Sequence, residues 1–206
     1  MPLYRMMDDG TAKMGIWRLT ESLAELEALY RVKDFELNVY RGFRNDRRRK
    51  EWLAVRILLS MIVGDESEIC YRDSGKPYLK DLRYCISITH TLGFVGIRVA
   101  QHPVAIDMEY YSSRVLHLID RFVSKEERQY IDKRDEIASA LIIWSAKETL
   151  FKLFDFQDVS FDEHLYVCGL TLGTKGVFKG GVRKDGFRAE VKLTYYVIDD
   201  LILVYC

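Results

Sequence analysis

The chain has 206 residues, of which 49% are hydrophobic and 30% are charged, and its 31 basic residues balance its 31 acidic ones. This length suits one large domain or two small ones with a sizeable buried core. The zero net charge argues against a surface that binds polyanions globally, and no run approaches the roughly 20 apolar residues that span a bilayer. The four scattered cysteines form no C-x-x-C pair, so we expect reduced thiols in a cytoplasmic protein.

The first quarter of the chain predicts one strand and two helices. A short strand is expected at Lys13–Leu19. Ser22 and Glu25 have the spacing of a capping box, which predicts that a helix begins there. A second helix is predicted over Asp46–Val63, because its apolar residues recur at the i, i+3, i+4 interval.

The remainder begins with β-rich runs. Tyr84–Thr89 and Phe94–Ala100 lie close enough to predict a hairpin, and a third run follows at Pro103–Glu109. Two or three helices are then predicted within Ser112–Phe154. Alternating strands follow from residue 165 to the end. We place the breaks between them at Gly173, Gly180-Gly181, Asp185-Gly186 and Asp199-Asp200.

Each half of the chain therefore combines helices with strands. We predict an α+β fold of two similar-sized α/β subdomains, residues 1–102 and 103–206. No sequence repeat relates the two halves, so any pseudo-two-fold symmetry between them would be structural.

Two carboxylates alternate along one predicted strand, Ile106-Asp107-Met108-Glu109. Side chains of a strand point alternately to its two faces, so Asp107 and Glu109 share one face and Ile106 and Met108 point into the core. Paired carboxylates suit a hard divalent cation such as Mg²⁺. The alternative is an exposed strand face with two solvated acids, because D-x-E is a common pattern.

A second pattern lies in the helical segment that ends near residue 154. Trp144, Glu148 and Lys152 are spaced i, i+4, i+8 and share one helix face, with Lys147 beside them. Glu148 could give a metal its third carboxylate, and Lys152 could hold a phosphate. The alternative is a core tryptophan with an ordinary Glu–Lys pair on the helix surface.

Together the two motifs resemble the 4′-phosphopantetheinyl transferase superfamily, in the two-subdomain type typified by the surfactin-synthetase-activating enzyme. That family carries a G-I-D-x-E strand and, some forty residues later, a W-x-x-K-E-x-x-x-K helix. Here they stand at 105–109 and Trp144–Lys152, with Ala105 in place of the glycine. The resemblance implies two α/β subdomains related by pseudo-two-fold symmetry, the first contributing coenzyme A contacts and the second the metal-binding and catalytic motifs.

Upstream segments resemble the family in the same order. Gly75-Lys76-Pro77 is similar to its G-K-P segment, residues 87–91 (S-I-T-H-T) to its S-x-S-H-S turn, and residues 47–56 to its basic helix start. The side chains that the resemblance implies as contacts of coenzyme A are Lys50, Arg56, Lys76, Thr89, His90, Lys147 and Lys152.

Two of these segments have simpler explanations. His90 could be a solvated histidine at a turn. The run Arg47–Lys50 could be a solvated helix end, although positive charge in a first turn opposes the helix dipole, and a bound anion would relieve that conflict.

The activity implied is Mg²⁺-dependent transfer of 4′-phosphopantetheine from coenzyme A to a serine of an apo carrier protein. The expected metal ligands are Asp107, Glu109 and Glu148, and Lys152 would offset phosphate charge. Glu148 is the implied general base. Glu127 is its rival, but Ser124 and Glu127 also have capping-box spacing, which gives Glu127 a structural interpretation.

Two other classes of function are alternatives. A nucleic-acid-binding module would use Arg47–Lys50 with nearby aromatic residues, but it conflicts with the zero net charge. A non-catalytic protein that binds carrier proteins would not need intact Asp107, Glu109, Glu148 and Lys152. We therefore expect a monomeric enzyme whose partners are coenzyme A and an apo acyl or peptidyl carrier protein, without nucleic acid or membrane.

Overall fold

The computed structural model describes residues 3–64 and 67–206. Within these ranges helices and antiparallel strands are mixed, which confirms the predicted α+β class. The strands are β1 (Leu3–Asp8), β2 (Ala12–Arg18), β3 (Ile69–Tyr71), β4 (Pro77–Leu79), β5 (Cys85–Thr91), β6 (Phe94–Ala100), β7 (Ile106–Tyr110), β8 (Leu165–Cys168), β9 (Lys175–Lys184), β10 (Phe187–Ile198) and β11 (Leu201–Tyr205). The helices are α1 (Leu23–Leu29), α2 (Leu37–Gly42), α3 (Asp46–Val63) and α4 (Glu136–Phe154), with 3₁₀ segments at Asp34–Glu36, Ser113–Arg121 and Glu127–Tyr130.

Contacts divide the chain into two compact units. The first comprises Met1–Tyr71 and Pro77–His102, and the second comprises Arg72–Lys76 and Pro103–Cys206. The five residues Arg72–Lys76 thus belong to the second unit, although they lie in the first half of the sequence. Across the described ranges no helix has the length and apolar character needed to cross a membrane.

The first unit packs α3 against a four-stranded antiparallel sheet with strand order β1-β2-β6-β5. The predicted helix over residues 46–63 is confirmed: Asn45 caps it by accepting a hydrogen bond from Arg47 N at 2.8 Å. The predicted hairpin is confirmed as β5–β6, which turns at Leu92-Gly93. The capping box of Ser22 and Glu25 is also present at the start of α1.

The second unit packs α4 against a five-stranded antiparallel sheet with strand order β7-β11-β10-β9-β8. The helix starts at its cap Asp135, whose side chain accepts a hydrogen bond from Ala138 N at 2.9 Å. It ends at Asp155, which adopts the left-handed conformation with φ +55°. Apolar residues of α4 pack on the inner face of the sheet, so one long helix covers one sheet face.

The two or three helices predicted within residues 112–154 are confirmed as one α-helix and two short 3₁₀ helices. The structure differs from the sequence expectation at one break between strands of this unit. Gly180-Gly181 lies inside β9 rather than between strands. Its physical reason is close packing: a Cβ at Gly180 would lie 2.7 Å from Leu193 Cδ1 and 3.1 Å from Leu150 Cδ1.

Candidate functional site

Strand β7 presents its two carboxylates toward helix α4. The register pairs Asp107 with Val204 and Glu109 with Ile202 on β11, and Val204 and Ile202 belong to the apolar core that α4 covers. Paired residues of neighbouring strands share a face, so Asp107 and Glu109 lie on the helix side of the sheet. The alternation predicted for this strand is thereby confirmed, but the acids, rather than Ile106 and Met108, lie on the face that α4 covers.

Helix α4 contacts both acids. Trp144 Nε1 donates a hydrogen bond to Glu109 Oε1 at 2.9 Å. Lys152 Nζ donates to Asp107 Oδ1 at 2.7 Å and to the carbonyl oxygen of Ile106 at 3.2 Å. Since Glu148 lies one turn from each of these helix residues on the same face, the two motifs meet at one place. The structure therefore does not support the alternative of an isolated Glu–Lys surface pair.

Electrostatics at this place are dominated by like charges in a partly buried setting. Burial and the charges of Asp107 and Glu109 together raise the pKa of Glu148 to about 7, although the charge of Lys152 opposes them. Burial also raises the pKa of Glu109, and the Asp107 charge adds to the effect. Three carboxylates thus share one nearby ammonium group, and the site carries an excess of negative charge.

The donor chemistry of this site fits a hard divalent cation. Within residues 3–64 and 67–206, no three acidic, histidine or cysteine side chains lie close enough together to hold a metal ion as they stand. Asp107 is engaged by Lys152 and Glu109 by Trp144, whereas Glu148 accepts no hydrogen bond from the part of the chain described. Carboxylate oxygens are the ligands that Mg²⁺ prefers, and an ion would relieve the mutual repulsion. The predicted ligand set remains a prediction that this geometry favours.

The contacts of Glu127 and Lys147 do not favour their predicted roles as a base and as a contact of coenzyme A. Lys147 is 0% exposed, and its Nζ lies 2.7 Å from Glu127 Oε2 and 2.7 Å from the carbonyl oxygen of Phe161. Glu127 Oε1 accepts a hydrogen bond from Val167 N at 2.8 Å, and Oε2 accepts one from Ser124 N at 2.8 Å. Both side chains form a buried ion pair that a ligand does not reach, and the capping-box interpretation of Glu127 is confirmed.

A polar contact that the sequence did not predict joins α4 to β11. Thr149 Oγ1 donates to the carbonyl oxygen of Ser145 at 2.7 Å and lies 3.2 Å from that of Val204. Val204 is the residue opposite Asp107, so this contact helps set the helix over the acidic strand. A threonine inside a strongly apolar helix was the available signal, because a buried hydroxyl needs a partner.

Lys76, predicted to contact coenzyme A, belongs to the second unit and is half-buried. Its Nζ donates a hydrogen bond to the carbonyl oxygen of Leu153 at 2.9 Å, at the end of α4. This carbonyl is one residue beyond Lys152. Of the lysines predicted to contact coenzyme A, Lys152 therefore belongs to α4, and Lys76 is hydrogen-bonded to the next residue of the same helix.

The remaining predicted contacts lie in the first unit. Arg56 is 5% exposed; its Nε lies 2.6 Å from Glu36 Oε1, and its guanidinium lies 3.3 Å from the centroid of the Trp52 ring. Arg56 is thus part of the core of this unit, a setting that does not favour its predicted contact with coenzyme A. Lys50 is half-buried, and its Nζ donates to the carbonyl oxygen of Glu21 at 2.5 Å.

Thr89 and His90 both lie within β5, opposite Gly96 and Val95 of β6. Thr89 is buried and His90 is exposed. The prediction that His90 sits at a turn is wrong by two residues, because the strand continues to Thr91 before the chain reverses. Their contacts with coenzyme A stay predictions.

Comparison with known families agrees with the geometry of the second unit. A family model described as the 4′-phosphopantetheinyl transferase superfamily matches residues 103–206, the half that carries both motifs. The chain therefore belongs to this superfamily. Membership implies a transferase of the phosphopantetheinyl type that acts on carrier proteins. No curated protein matches the chain.

Proposed function

We propose that this chain transfers 4′-phosphopantetheine from coenzyme A to a serine of an apo acyl or peptidyl carrier protein, with Mg²⁺ as cofactor. The observation that carries the proposal is the meeting of Asp107 and Glu109 on β7 with Glu148 and Lys152 on α4. Phosphoryl-type transfer depends mainly on positioning and on neutralising phosphate oxygens, and this group of side chains is suited to both.

Asp107, Glu109 and Glu148 would hold the Mg²⁺ ion. When bound, the ion neutralises charge on the pyrophosphate oxygens and polarises the phosphorus toward attack. Trp144 fixes the orientation of Glu109 through its indole N–H, which is the role of an outer hydrogen-bond partner of a ligand. Lys152 supplies the positive charge that offsets phosphate charge on the helix side of the site.

The serine hydroxyl loses its proton as its oxygen attacks the β-phosphorus, and 3′,5′-adenosine diphosphate leaves with the electrons of the broken P–O bond. A general base works best when its pKa lies near the working pH. In the metal-free protein the pKa of Glu148 is raised to about 7. A bound Mg²⁺ ion would lower it, so Glu148 is assigned as the base on its position beside Asp107 and Glu109. Glu127 is held by Lys147 and backbone N–H groups, so we assign the proton to Glu148.

Lys50, Lys76, Thr89 and His90 remain the proposed contacts of coenzyme A, and the proposed enzyme is a monomer of the cytoplasm. The nucleic-acid alternative gains nothing from the structure. Two arginines of the basic run pair with one acid: Arg47 and Arg48 lie 2.9 Å and 3.2 Å from Glu51.

The test is an assay with purified protein, coenzyme A, Mg²⁺ and a panel of apo carrier proteins from fatty-acid, polyketide and peptide synthases. We expect one carrier at least to gain the mass of one phosphopantetheine group, and we expect chelation of Mg²⁺ to stop the reaction. If no carrier gains this mass and the protein instead binds DNA with a steep salt dependence, the proposal is wrong.

A further inference from the structure

The segment Arg72–Lys76 is a tight turn that lies against the end of helix α4. Gly75 N donates to the carbonyl oxygen of Arg72 at 2.8 Å, and Arg72 N donates to that of Lys76 at 3.0 Å. Gly75 has φ +84°, the left-handed conformation that closes a three-residue hairpin loop. The turn thus has a defined backbone, which we call the 72–76 turn.

Two side-chain contacts join the 72–76 turn to the residue that ends α4. Asp155 Oδ2 accepts a hydrogen bond from Ser74 Oγ at 3.2 Å, and it lies 4.0 Å from an Arg72 guanidinium nitrogen. Asp155 itself is held by its own N–H, which donates to the carbonyl oxygen of Phe151 at 2.9 Å. Together with the bond from Lys76 Nζ to Leu153, these contacts attach the turn at three points.

We propose that Asp155 is a positioning residue, whose carboxylate holds the 72–76 turn so that Lys76 lies beside Lys152 before coenzyme A binds. The inference rests on the proposed function, in which Lys152 offsets phosphate charge and Lys76 contacts coenzyme A. Lys76 Nζ is bonded to the residue that follows Lys152, so the spacing of the two ammonium groups depends on where the turn is held. Fixing groups in their bound arrangement lowers the cost of binding.

The contacts of Asp155 are not a general source of stability. Its hydrogen bond with Ser74 and its ion pair with Arg72 are exposed, and exposed polar pairs contribute little to the free energy of unfolding. These contacts therefore act locally: they affect how well ordered the 72–76 turn is. This separates a positioning role from a structural one.

The test replaces Asp155 with glycine, which adopts the left-handed conformation freely and removes the side chain with its carboxylate. The matched control is Asp158→Gly, because Asp158 also has φ +55° and makes no hydrogen bond within the described ranges. Asp155→Asn is the conservative variant, since asparagine tolerates this conformation and still accepts a bond from Ser74.

The first measurement is amide hydrogen exchange of residues 72–76 in the full chain. We expect Asp155→Gly to accelerate exchange of the Arg72 and Gly75 amides by about three- to tenfold, the effect of losing one or two exposed polar contacts. Asp158→Gly should leave exchange unchanged, and Asp155→Asn should fall between. Unchanged exchange in Asp155→Gly would overturn the proposed attachment.

The second measurement is steady-state transfer kinetics. We expect Asp155→Gly to raise the KM for coenzyme A by about three- to tenfold, with kcat within about twofold of wild type. Faster exchange with an unchanged KM would show that the turn is held but positions nothing, and would sink the inference. If wild type modifies no carrier, the proposed function fails on its own; coenzyme A affinity measured by calorimetry then decides the role of Asp155.

Discussion

Lys152 Nζ lies 2.7 Å from Asp107 Oδ1, so the first acid of the D-x-E strand already holds a cation supplied by helix α4. This ion pair ties the two motifs together without a metal. A divalent ion that binds Asp107 would compete with Lys152 for that carboxylate, and displacement of Lys152 would free its ammonium group for a phosphate.

Asp107→Asn keeps the shape of the side chain and removes its charge. We expect kcat to fall by roughly 100-fold or more, the size of effect seen when groups that order a metal are lost. Mg²⁺ affinity, measured by calorimetry, should fall as well, while the circular dichroism spectrum stays unchanged. Asp185→Asn is the control, since Asp185 occupies an exposed turn with φ +50° that asparagine tolerates. Wild-type turnover in Asp107→Asn would remove this residue from the site.

Glu148 makes stability depend on pH. Its pKa rises from 4.5 to about 7 on folding because of burial and the charge of Asp107. The folded state then binds this proton more tightly than the unfolded state, so the stabilisation is complete below pH 4.5 and is lost as pH rises through 7. Without Mg²⁺, Glu148→Gln should remove this loss and be the more stable protein at pH 8, by no more than about 3 kcal/mol.

Urea denaturation of both proteins from pH 4.5 to 8 measures this difference. Added Mg²⁺ should stabilise wild type more at pH 8 than at pH 5, because the ion binds the ionised carboxylate. Glu163→Gln, at an exposed position of the same unit, should follow wild type throughout. Parallel curves for Glu148→Gln and wild type would refute the assigned environment of Glu148.

Glu127→Gln tests the buried ion pair with Lys147. The substitution leaves an uncompensated ammonium that is 0% exposed, so we expect a loss of about 3–5 kcal/mol in the free energy of unfolding. Glu126→Gln, next to it and exposed, should change stability by less than about 0.5 kcal/mol. Adding Lys147→Met to Glu127→Gln should recover part of the loss. Loss of turnover with unchanged stability would instead restore the catalytic role of Glu127.

Arg56→Met tests whether Arg56 acts in the core rather than at the binding site. The change leaves the buried Glu36 carboxylate without its cation, although Tyr30 still donates a hydrogen bond to it, so unfolding should become easier by about 3–5 kcal/mol. The KM for coenzyme A should stay at the wild-type value at temperatures where the variant is folded. Arg44→Met, at an exposed position before α3, should change neither quantity. A raised KM without loss of stability would return Arg56 to the binding site.

The features that sequence predicted correctly follow local rules. Apolar periodicity located α3, and the period of two along β7 placed Asp107 and Glu109 on one face. The spacing of four along α4 placed Glu148 and Lys152 together. Each of these rules concerns residues near one another in the chain, where helix and strand geometry decide the outcome.

The features that were missed depend on partners far away in sequence. Lys147 and Glu148 are neighbours, yet one turns toward Glu127 in the core and the other toward the acids of β7. Nothing in the spacing shows which neighbour is buried, because that depends on where Phe161 and β8 pack. The same holds for the 72–76 turn, whose partner Asp155 lies some eighty residues downstream.

Gly180, three strands away from β7, contributes no side chain at the point where Leu150 of α4 meets the sheet. Leu150 stands between Glu148 and Lys152 in the helix. A methyl group added at Gly180 would crowd Leu150 and push this part of the helix away from the strands beneath it. The missing side chain at Gly180 thus lets α4 pack closely on the sheet, and this close packing helps to set the distance between Glu148 and Asp107.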